Sequence, residues 1–554
     1  MIKDELKYRI RQALGLVPTP EQEQAIEVFT QFMTDRSEQV VMILRGSAGT
    51  GKTTLAGAIV RALTALKQKL ILLAPTGRAA KVFSLYAGHA AYTIHRRIYR
   101  QKSAGDLSAF NLNDNLNRDT LLIIDEASMI SNQGYGESAF GSGCLLDDLM
   151  QFVYRSAEGR LLSEGRKNGQ NCRMLLIGDK AQLPPVGEEE SPALMADVLR
   201  GYGMTVYECD LSQVLRQSED SGILWNATRI REFFLRKEER GMRNENSTAV
   251  ESVLDGNLLP LSTLHLPQIQ FKGFADIQVV PGDELIESLT SSYSRVGMDE
   301  TMVITRSNKR ANIYNQGIRN TILDREDELC RGDLLMIVKN NYYWLKEEGG
   351  GWSERSSSAR LLPEGRKNTP ATDSGPECNL LPPSTFNPPP KISFLANGDL
   401  AVVQRVRNIH ELYGFRFAEV TLLFPDYDDY ELTATVLLDT LTSGAPALTR
   451  EQQEQLFNAV KEDYADIPLM ADRIKKLKTD RYYNALQVKF AYAVTCHKAQ
   501  GGQWAHIYLD QGYMTDDMLT PDYIHWLYTA FTRATEKLFL VNWPKTQICS
   551  IKDP

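Results

Sequence analysis

The sequence has no long apolar run. No stretch approaches the roughly 18 consecutive apolar residues that a membrane span needs. The opening MIKDELKYRI mixes acidic and basic residues with no apolar centre and does not read as a signal peptide. Cysteine is sparse: seven residues, at 144, 172, 209, 330, 378, 496 and 549, with no two at CxxC spacing. That spacing speaks against both a zinc ribbon and a disulfide framework. Positive charge is not in excess either. Lys and Arg number 62 against 70 Asp and Glu, a net charge of −8. Bulk charge thus lends no support to nucleic-acid binding, although a basic groove can lie on an acidic protein. Hydrophobic content of 43% and charged content of 24% suit a folded enzyme, expected in the cytoplasm and away from membranes. At about 100–200 residues per domain, the length predicts two to four domains.

What is present is an alternation. VVMILRG (40–46), LILLAPT (70–76), TLLIIDEAS (120–128) and RMLLIGD (173–179) are dense in Val, Ile and Leu, and each is closed by a turn or a polar residue. This is the pattern of strands buried on both faces, as in a parallel sheet. TTLAGAIVRALTALKQ (53–68) and RAAKVFSLYAG (78–88) read as intervening helices, so residues 1–205 are expected to form a doubly wound α/β domain. The pattern restarts near 206. MTVYECDL (204–211), TMVITRS (301–307), KFAYAVT (489–495) and KLFLVNW (537–543) read as strands of a second α/β domain over 206–554, with a helix at 308–323. A β-rich stretch at about 325–485 interrupts it, comprising GDLLMIVKNNYYW, NGDLAVVQRV, RFAEVTLLF and YELTATVLLDT. Asn397-Gly398 is a turn signal before one of these runs, and a small antiparallel barrel is predicted. Residues 346–391, rich in Gly, Ser and Pro, read as a loosely held loop. RLLSEGRKN (160–168) and RLLPEGRKN (360–368) match at all but one position. Two copies do not make a solenoid, and both read as surface-loop insertions, the first spanning about 156–170.

GSAGTGKT (46–53) fits G-x-x-x-x-G-K-[ST] between a predicted strand and a predicted helix. In Gly46, Ser47, Ala48, Gly49, Thr50 and Gly51 the backbone can close around phosphates, with N–H groups pointing inward at a helix N-terminus. Lys52 supplies charge to the β- and γ-phosphates, the Thr53 hydroxyl can ligate Mg²⁺, and Thr54 completes the phosphate-facing turn. LLIIDEAS (121–128) follows about 70 residues later and delivers two carboxylates from the end of an apolar strand. Asp125 is suited to hold Mg²⁺ and Glu126 to orient or deprotonate the attacking water. The second carboxylate favours ATP hydrolysis over phosphotransfer. LLIGDKAQLPPVG (175–187) ends a third strand, where Gln182 is a candidate γ-phosphate sensor. AVTCHKAQGG (493–502) leaves three local readings open: a metal site, a Cys/His nucleophile, or a ligand grip through the backbone. Adjacent residues leaving a strand point to opposite faces, which counts against convergence of Cys496 and His497.

The P-loop, DEAS, GDKAQLPPVG, LSQVLRQ (211–217), AVTCHKAQG and YTAFTRA (528–534) occur in the order of superfamily 1 helicase motifs. With APTGRAA (74–80) and TIHR (93–96), the chain resembles the 5′-to-3′ RecD-like, Dda-like branch of that superfamily over nearly its whole length, 346–391 and 156–170 excepted. The resemblance implies two RecA-like P-loop domains and an SH3-like barrel inserted in the second. It implies an ATP-dependent DNA helicase that uses ATP and Mg²⁺ and acts on single-stranded DNA and on single-strand/duplex junctions, expected to work as a monomer. PTPEQEQA (18–25) resembles the adenine-reading Q motif, with Gln22 as the contact. Arg216 and Arg533 resemble arginine fingers that reach ATP from the second domain. Thr495, His497 and Lys498 resemble DNA-holding residues, with Gln500 and Gly501 toward the nucleotide and Cys496 in the core. Pro75, Thr76, Arg78, Thr93 and His95 match the DNA contacts of the first domain. Residues 97–118 fall where the family has a strand-splitting pin, in which Tyr99 or Phe110 is a candidate to stack on a base. The motifs single out no pathway and no protein partner.

Overall fold

The computed structural model describes residues 2–101, 110–134, 142–154, 171–214, 221–232, 268–341, 343–347, 395–427, 429–515, 518 and 520–549. The two near-identical RLL-x-EGRKN segments, nearly all of 346–391, and Arg216 lie outside these residues. Among the described residues no helix is long and apolar enough to cross a membrane.

Among the described residues, the first 211 contribute eight strands: β1 (Val40–Gly46), β2 (Lys69–Ala74), β3 (Ala91–Thr93), β4 (Tyr99–Gln101), β5 (Phe110–Leu112), β6 (Thr120–Ile124), β7 (Arg173–Gly178) and β8 (Thr205–Leu211). Six of them form one parallel sheet in the order β3-β2-β6-β7-β1-β8. The apolar runs of β1, β6 and β7 are buried because helices cover both faces: Phe29 and Leu55 pack on one side, Leu149 and Phe152 on the other. β4 and β5 form a separate antiparallel ribbon.

The stretch 204–211, read from the sequence as the start of the second domain, instead completes the first sheet. β8 pairs with β1 from Val40↔Thr205 to Gly46↔Leu211. It is an edge strand with several exposed positions, so its apolar density does not reveal which sheet it joins.

The second domain has a parallel sheet built from β9 (Ile277–Val280), β10 (Thr301–Thr305), β16 (Ala493–Thr495), β17 (Trp504–Asp510) and β18 (Ala534–Val541), in the order β16-β10-β17-β18-β9. Between β10 and β16 the chain forms a closed barrel of β11 (Leu334–Ile337), β12 (Leu400–Leu412), β13 (Phe415–Phe424), β14 (Tyr430–Leu437) and β15 (Leu486–Phe490). The architecture is thus two RecA-like α/β domains with a small barrel inserted in the second. Tyr413 and Gly414, both at positive φ, make the tight turn of the β12–β13 hairpin. Two details depart from the sequence reading. β14 and β15 pair in parallel, so the barrel is mixed rather than antiparallel. The single strand expected at 489–495 is split: β15 closes the barrel and β16 enters the parallel sheet. Both halves are apolar, and only their partners separate them.

A buried charge cluster fastens the barrel to the second domain. Asp333, just before β11, accepts from Arg319 Nη2 at 3.1 Å, Arg325 Nη1 at 2.9 Å, Tyr492 Oη at 3.0 Å and the Cys330 N–H at 2.7 Å. With side chains 0% and 2% exposed for Asp333 and Arg319, this pair is stable only because every polar atom of the carboxylate is engaged.

Candidate nucleotide and nucleic-acid sites

The P-loop leaves β1 at Gly46 and enters the helix Lys52–Ala65. Gly49 and Gly51 take left-handed φ values of 79° and 82°, open to glycine at no steric cost. A Cβ on Gly46 would stand 2.8 Å from Thr50 Oγ1 and 2.9 Å from Lys52 Cγ, so the tight loop needs glycine there. The helix N-cap is Gly51, with no side-chain cap. The helix therefore presents its first N–H groups and its positive dipole end to the cradle. Lys52 Nζ donates to the carbonyls of Gly46 at 2.5 Å and Ser47 at 2.8 Å, which places the cation over the loop. Thr53 is half-buried and Thr54 exposed at the same helix start. Gln22 is buried. Its Oε1 accepts from the Thr19 N–H in a capping box, and its Nε2 donates to the Thr50 carbonyl at 3.4 Å. The expected adenine contact thus packs against the P-loop from behind.

Asp125 follows β6, its N–H bonded to the Leu73 carbonyl at 3.0 Å. Asp125 Oδ1 accepts the Glu126 N–H at 2.9 Å, and Glu126 holds a left-handed φ of 53°, unusual for a residue with a Cβ. Burial, then the adjacent Glu126 charge, push the Asp125 carboxyl well above its ordinary range. A hard cation beside it would offset that cost. The oxygen donors Asp125 and Thr53 suit Mg²⁺, so the residues present fit the metal implied by the motif.

The second domain reaches this site from across the cleft. Tyr528 Oη accepts the Ala48 N–H at 3.0 Å and donates to Asp179 Oδ2 at 2.8 Å. Thr529 Oγ1 accepts the Leu183 N–H at 2.8 Å, and His525 Nδ1 lies 2.9 Å from the Ala181 carbonyl. Gln500 Nε2 donates to the Leu183 carbonyl at 3.2 Å and contacts Gln182 Oε1 at 3.4 Å. Gln182 is thus held within the interdomain seam. Arg533 is buried and donates to the Thr529 and Gly502 carbonyls and to Thr532 Oγ1, each at 3.1 Å. In this arrangement it is tied within its own domain. Arg231, which no motif singled out, instead crosses the cleft and donates to Ser47 Oγ.

A separate cleft of about 320 Å³ gathers the expected DNA contacts of both domains. Pro75, Thr76, Arg78, Thr93 and His95 line it from the first domain; His497, Lys498 and Gln500 line it from the second. Thr495 sits buried at the N-cap of the turn Cys496–Ala499. A Cβ on Gly501 would stand 3.1 Å from Ala79 and 3.4 Å from Thr76 Oγ1, so glycine lets the two domains meet there. Thr76 and Thr93 each cap a helix, accepting from Ala79 N–H at 3.2 Å and Arg96 N–H at 3.3 Å. Their own hydroxyl protons remain available for a phosphate oxygen. Arg78 lies over the Trp504 ring, 4.3 Å from its centroid. Burial pushes Lys498 down to about 8, with the Lys489 charge adding to the shift. Burial alone lowers His95 to about 4, Asp148 opposing weakly. His95 is therefore neutral near pH 7.

Sequence reasoning missed the third wall of this cleft. Met336, Asn340, Asn397 and Gly398 of the barrel line it. Asn397-Gly398 signalled a turn, but nothing local signalled where that turn would dock. It lies against the first domain: a Cβ on Gly77 would stand 2.4 Å from Ala396 Cβ. Two other expectations are settled by packing. Tyr99 is buried and donates to Asp148 Oδ2 at 2.7 Å, so it anchors the β4–β5 ribbon and is not free to stack on a base. Cys496 is buried, its Sγ 3.6 Å from the Trp526 carbonyl. It leaves β16, as expected, and begins a helical turn, and His497 beside it is exposed. Among the described residues no cluster of His, Cys, Asp and Glu could hold a metal by three such side chains.

Comparison with known proteins agrees with this layout. A model of an AAA domain matches residues 18–137, and a model of a UvrD-like helicase C-terminal domain matches residues 490–541. The ATP-dependent DNA helicase dda of Enterobacteria phage T4 is 24% identical over 337 residues, 58% of this chain and 60% of that protein. The ATP-dependent DNA helicase RRM3 of Saccharomyces cerevisiae is 29% identical over 187 residues, 32% of this chain and 22% of that one. An uncharacterised protein of Methanocaldococcus jannaschii is 30% identical over 184 residues, 31% of this chain and 14% of its own. The chain thus spans less than two thirds of the length of each of these relatives. A crystal structure of Pif1 helicase from Bacteroides in complex with ADP-AlF3 and ssDNA aligns over 97% of this chain and 95% of that one, at 13% identity and a TM-score of 0.42. The family matches and the ordered motifs make this chain similar to superfamily 1 helicases of the Dda type.

Proposed function

We propose that this chain is an ATP-dependent DNA helicase that moves 5′ to 3′ on single-stranded DNA. The observation that carries the proposal is the turn 495–501. Lys498 lines the cleft proposed for DNA, while Gln500, two residues on, contacts Gln182 and Leu183 on the nucleotide side. A strap this short cannot respond to one site without moving the other. ATP binds between the domains on Gly46–Thr54 with Gln22 behind. Glu126 orients the attacking water and Gln182 reads the γ-phosphate. Thr53 and Asp125 would hold Mg²⁺, which would supply charge neutralisation at the phosphates. Arg533, together with Arg216 of the LSQVLRQ motif, engages the phosphates when the cleft closes. Arginine fingers accelerate phosphoryl transfer by roughly 10³–10⁵, so such engagement ties hydrolysis to closure. Lys498 neutralises a DNA phosphate, and Thr76, Thr93, His95 and His497 donate to backbone oxygens. Each cycle of closing and opening alternates which domain grips the strand.

The test is strand separation with ATP and Mg²⁺ on duplexes carrying a 5′ or a 3′ single-stranded tail, with Lys52→Ala as control. Unwinding of the 5′-tailed duplex alone, lost in the control, is the expected result. Unwinding from the 3′ tail would reverse the polarity. Hydrolysis stimulated by single strands without unwinding would make the chain a translocase that remodels protein–DNA complexes. Binding without hydrolysis would leave a DNA-binding module.

A further inference from the structure

Arg231 stands on the helix over 222–232, whose Ile223, Ala227 and Ile230 are buried in the core of the second domain. Its guanidinium nonetheless reaches the first domain and donates to Ser47 Oγ. Lys52 Nζ rests on the carbonyl of the same Ser47, at 2.8 Å. Two cations, one from each domain, therefore converge on a single residue of the phosphate cradle. The next residue is held across the cleft as well, through the Ala48 N–H and Tyr528 Oη at 3.0 Å. The second domain thus touches the P-loop at Ser47–Ala48, and also packs Leu224 near Gly49; Lys52 marks Ser47 as the side where the outer phosphates lie. Arg533 donates only within its own domain. Arg231 and Arg533 are therefore differently placed, and Arg231 is the one already across the cleft. A guanidinium fork can engage two oxygens of a phosphate at once.

We propose that Arg231 senses the terminal phosphate of a bound nucleoside triphosphate. Its guanidinium turns from the Ser47 hydroxyl to that phosphate, and the helix over 222–232 carries the change into the second-domain core. The inference rests on the ATP-driven reading above and adds a residue that no motif of the chain contains. It is tested in the full chain with Arg231→Gln and Arg231→Lys. The measurements are equilibrium binding of fluorescent ADP and of a fluorescent non-hydrolysable ATP analogue, and hydrolysis stimulated by oligo(dT).

Arg231→Gln is expected to weaken the triphosphate analogue on the order of tenfold while ADP stays within about twofold, the signature of one lost charge-assisted hydrogen bond. Arg231→Lys recovers part of the difference, and stimulated kcat falls in step with analogue affinity. An equal loss for both nucleotides would make Arg231 a support for the loop and overturn the proposal. Wild-type affinity for both would overturn it too. A wild-type chain that binds neither nucleotide would instead defeat the ATP-driven reading itself, a result visible before any variant is made.

Discussion

The two clefts are built in opposite ways. The nucleotide side draws its cradle from one contiguous stretch, Gly46–Thr54, and its chemistry lies in backbone N–H groups, two left-handed glycines and a helix start. The cleft proposed for DNA draws on three remote regions: the first domain near 75–95, the turn 495–501 and the barrel at 336–340 and 397–398. A contiguous site forms whenever its strand and helix form. A composite site forms only when three units hold their relative positions. The nucleotide cradle should therefore tolerate loosening of the barrel, and the DNA cleft should not.

The strongest way to break this contrast is at Asp333. Asp333→Ala leaves Arg319 buried without its partner, which costs about 3–5 kcal/mol in comparable cases. Chemical denaturation should show that loss, and at low denaturant ADP should still bind while single-stranded DNA affinity falls; parallel loss of both would erase the distinction. Lys52→Ala makes the converse cut. Hydrolysis should drop by on the order of 10²–10³, as when a preorganised charge is withdrawn from a reacting phosphate, while oligo(dT) anisotropy stays at the wild-type value. Lys498 sharpens the DNA side. Burial depresses it to about 8, and a bound phosphate favours its charged form. Above pH 8 binding must take up a proton, so DNA affinity should be flat below that pH and fall above it. Lys498→Arg should flatten the profile, and a flat wild-type profile would remove Lys498 from the contact. The smallest effect belongs to Tyr99→Phe. Losing its bond to Asp148 should cost about 1 kcal/mol of stability with no change in DNA affinity, as expected of an anchor for the ribbon.

Much of this molecule is legible from local sequence. GSAGTGKT between a strand and a helix, and Asp-Glu after an apolar strand, encode their own geometry, because phosphate cradles and strand ends depend on near neighbours in the chain. The barrel was legible as a β-rich interruption. Its closure was not: β14 and β15 are parallel partners separated by the helices Arg450–Glu462 and Met470–Leu477. Nor was the sheet that β8 joins, nor the break between β15 and β16, since apolar density marks burial without naming a partner.

By itself, then, the amino-acid order determined the two-domain α/β plan, the nucleotide cradle and the set of residues expected to hold DNA. Tertiary structure alone decided that Asn340 and Asn397 wall the cleft proposed for DNA, that Tyr99 is an anchor, and that Arg231 faces Ser47. The last two outcomes depend on hydrogen bonds between residues 49 and 184 positions apart, the first on segments further apart still, and no local pattern carries information over such distances.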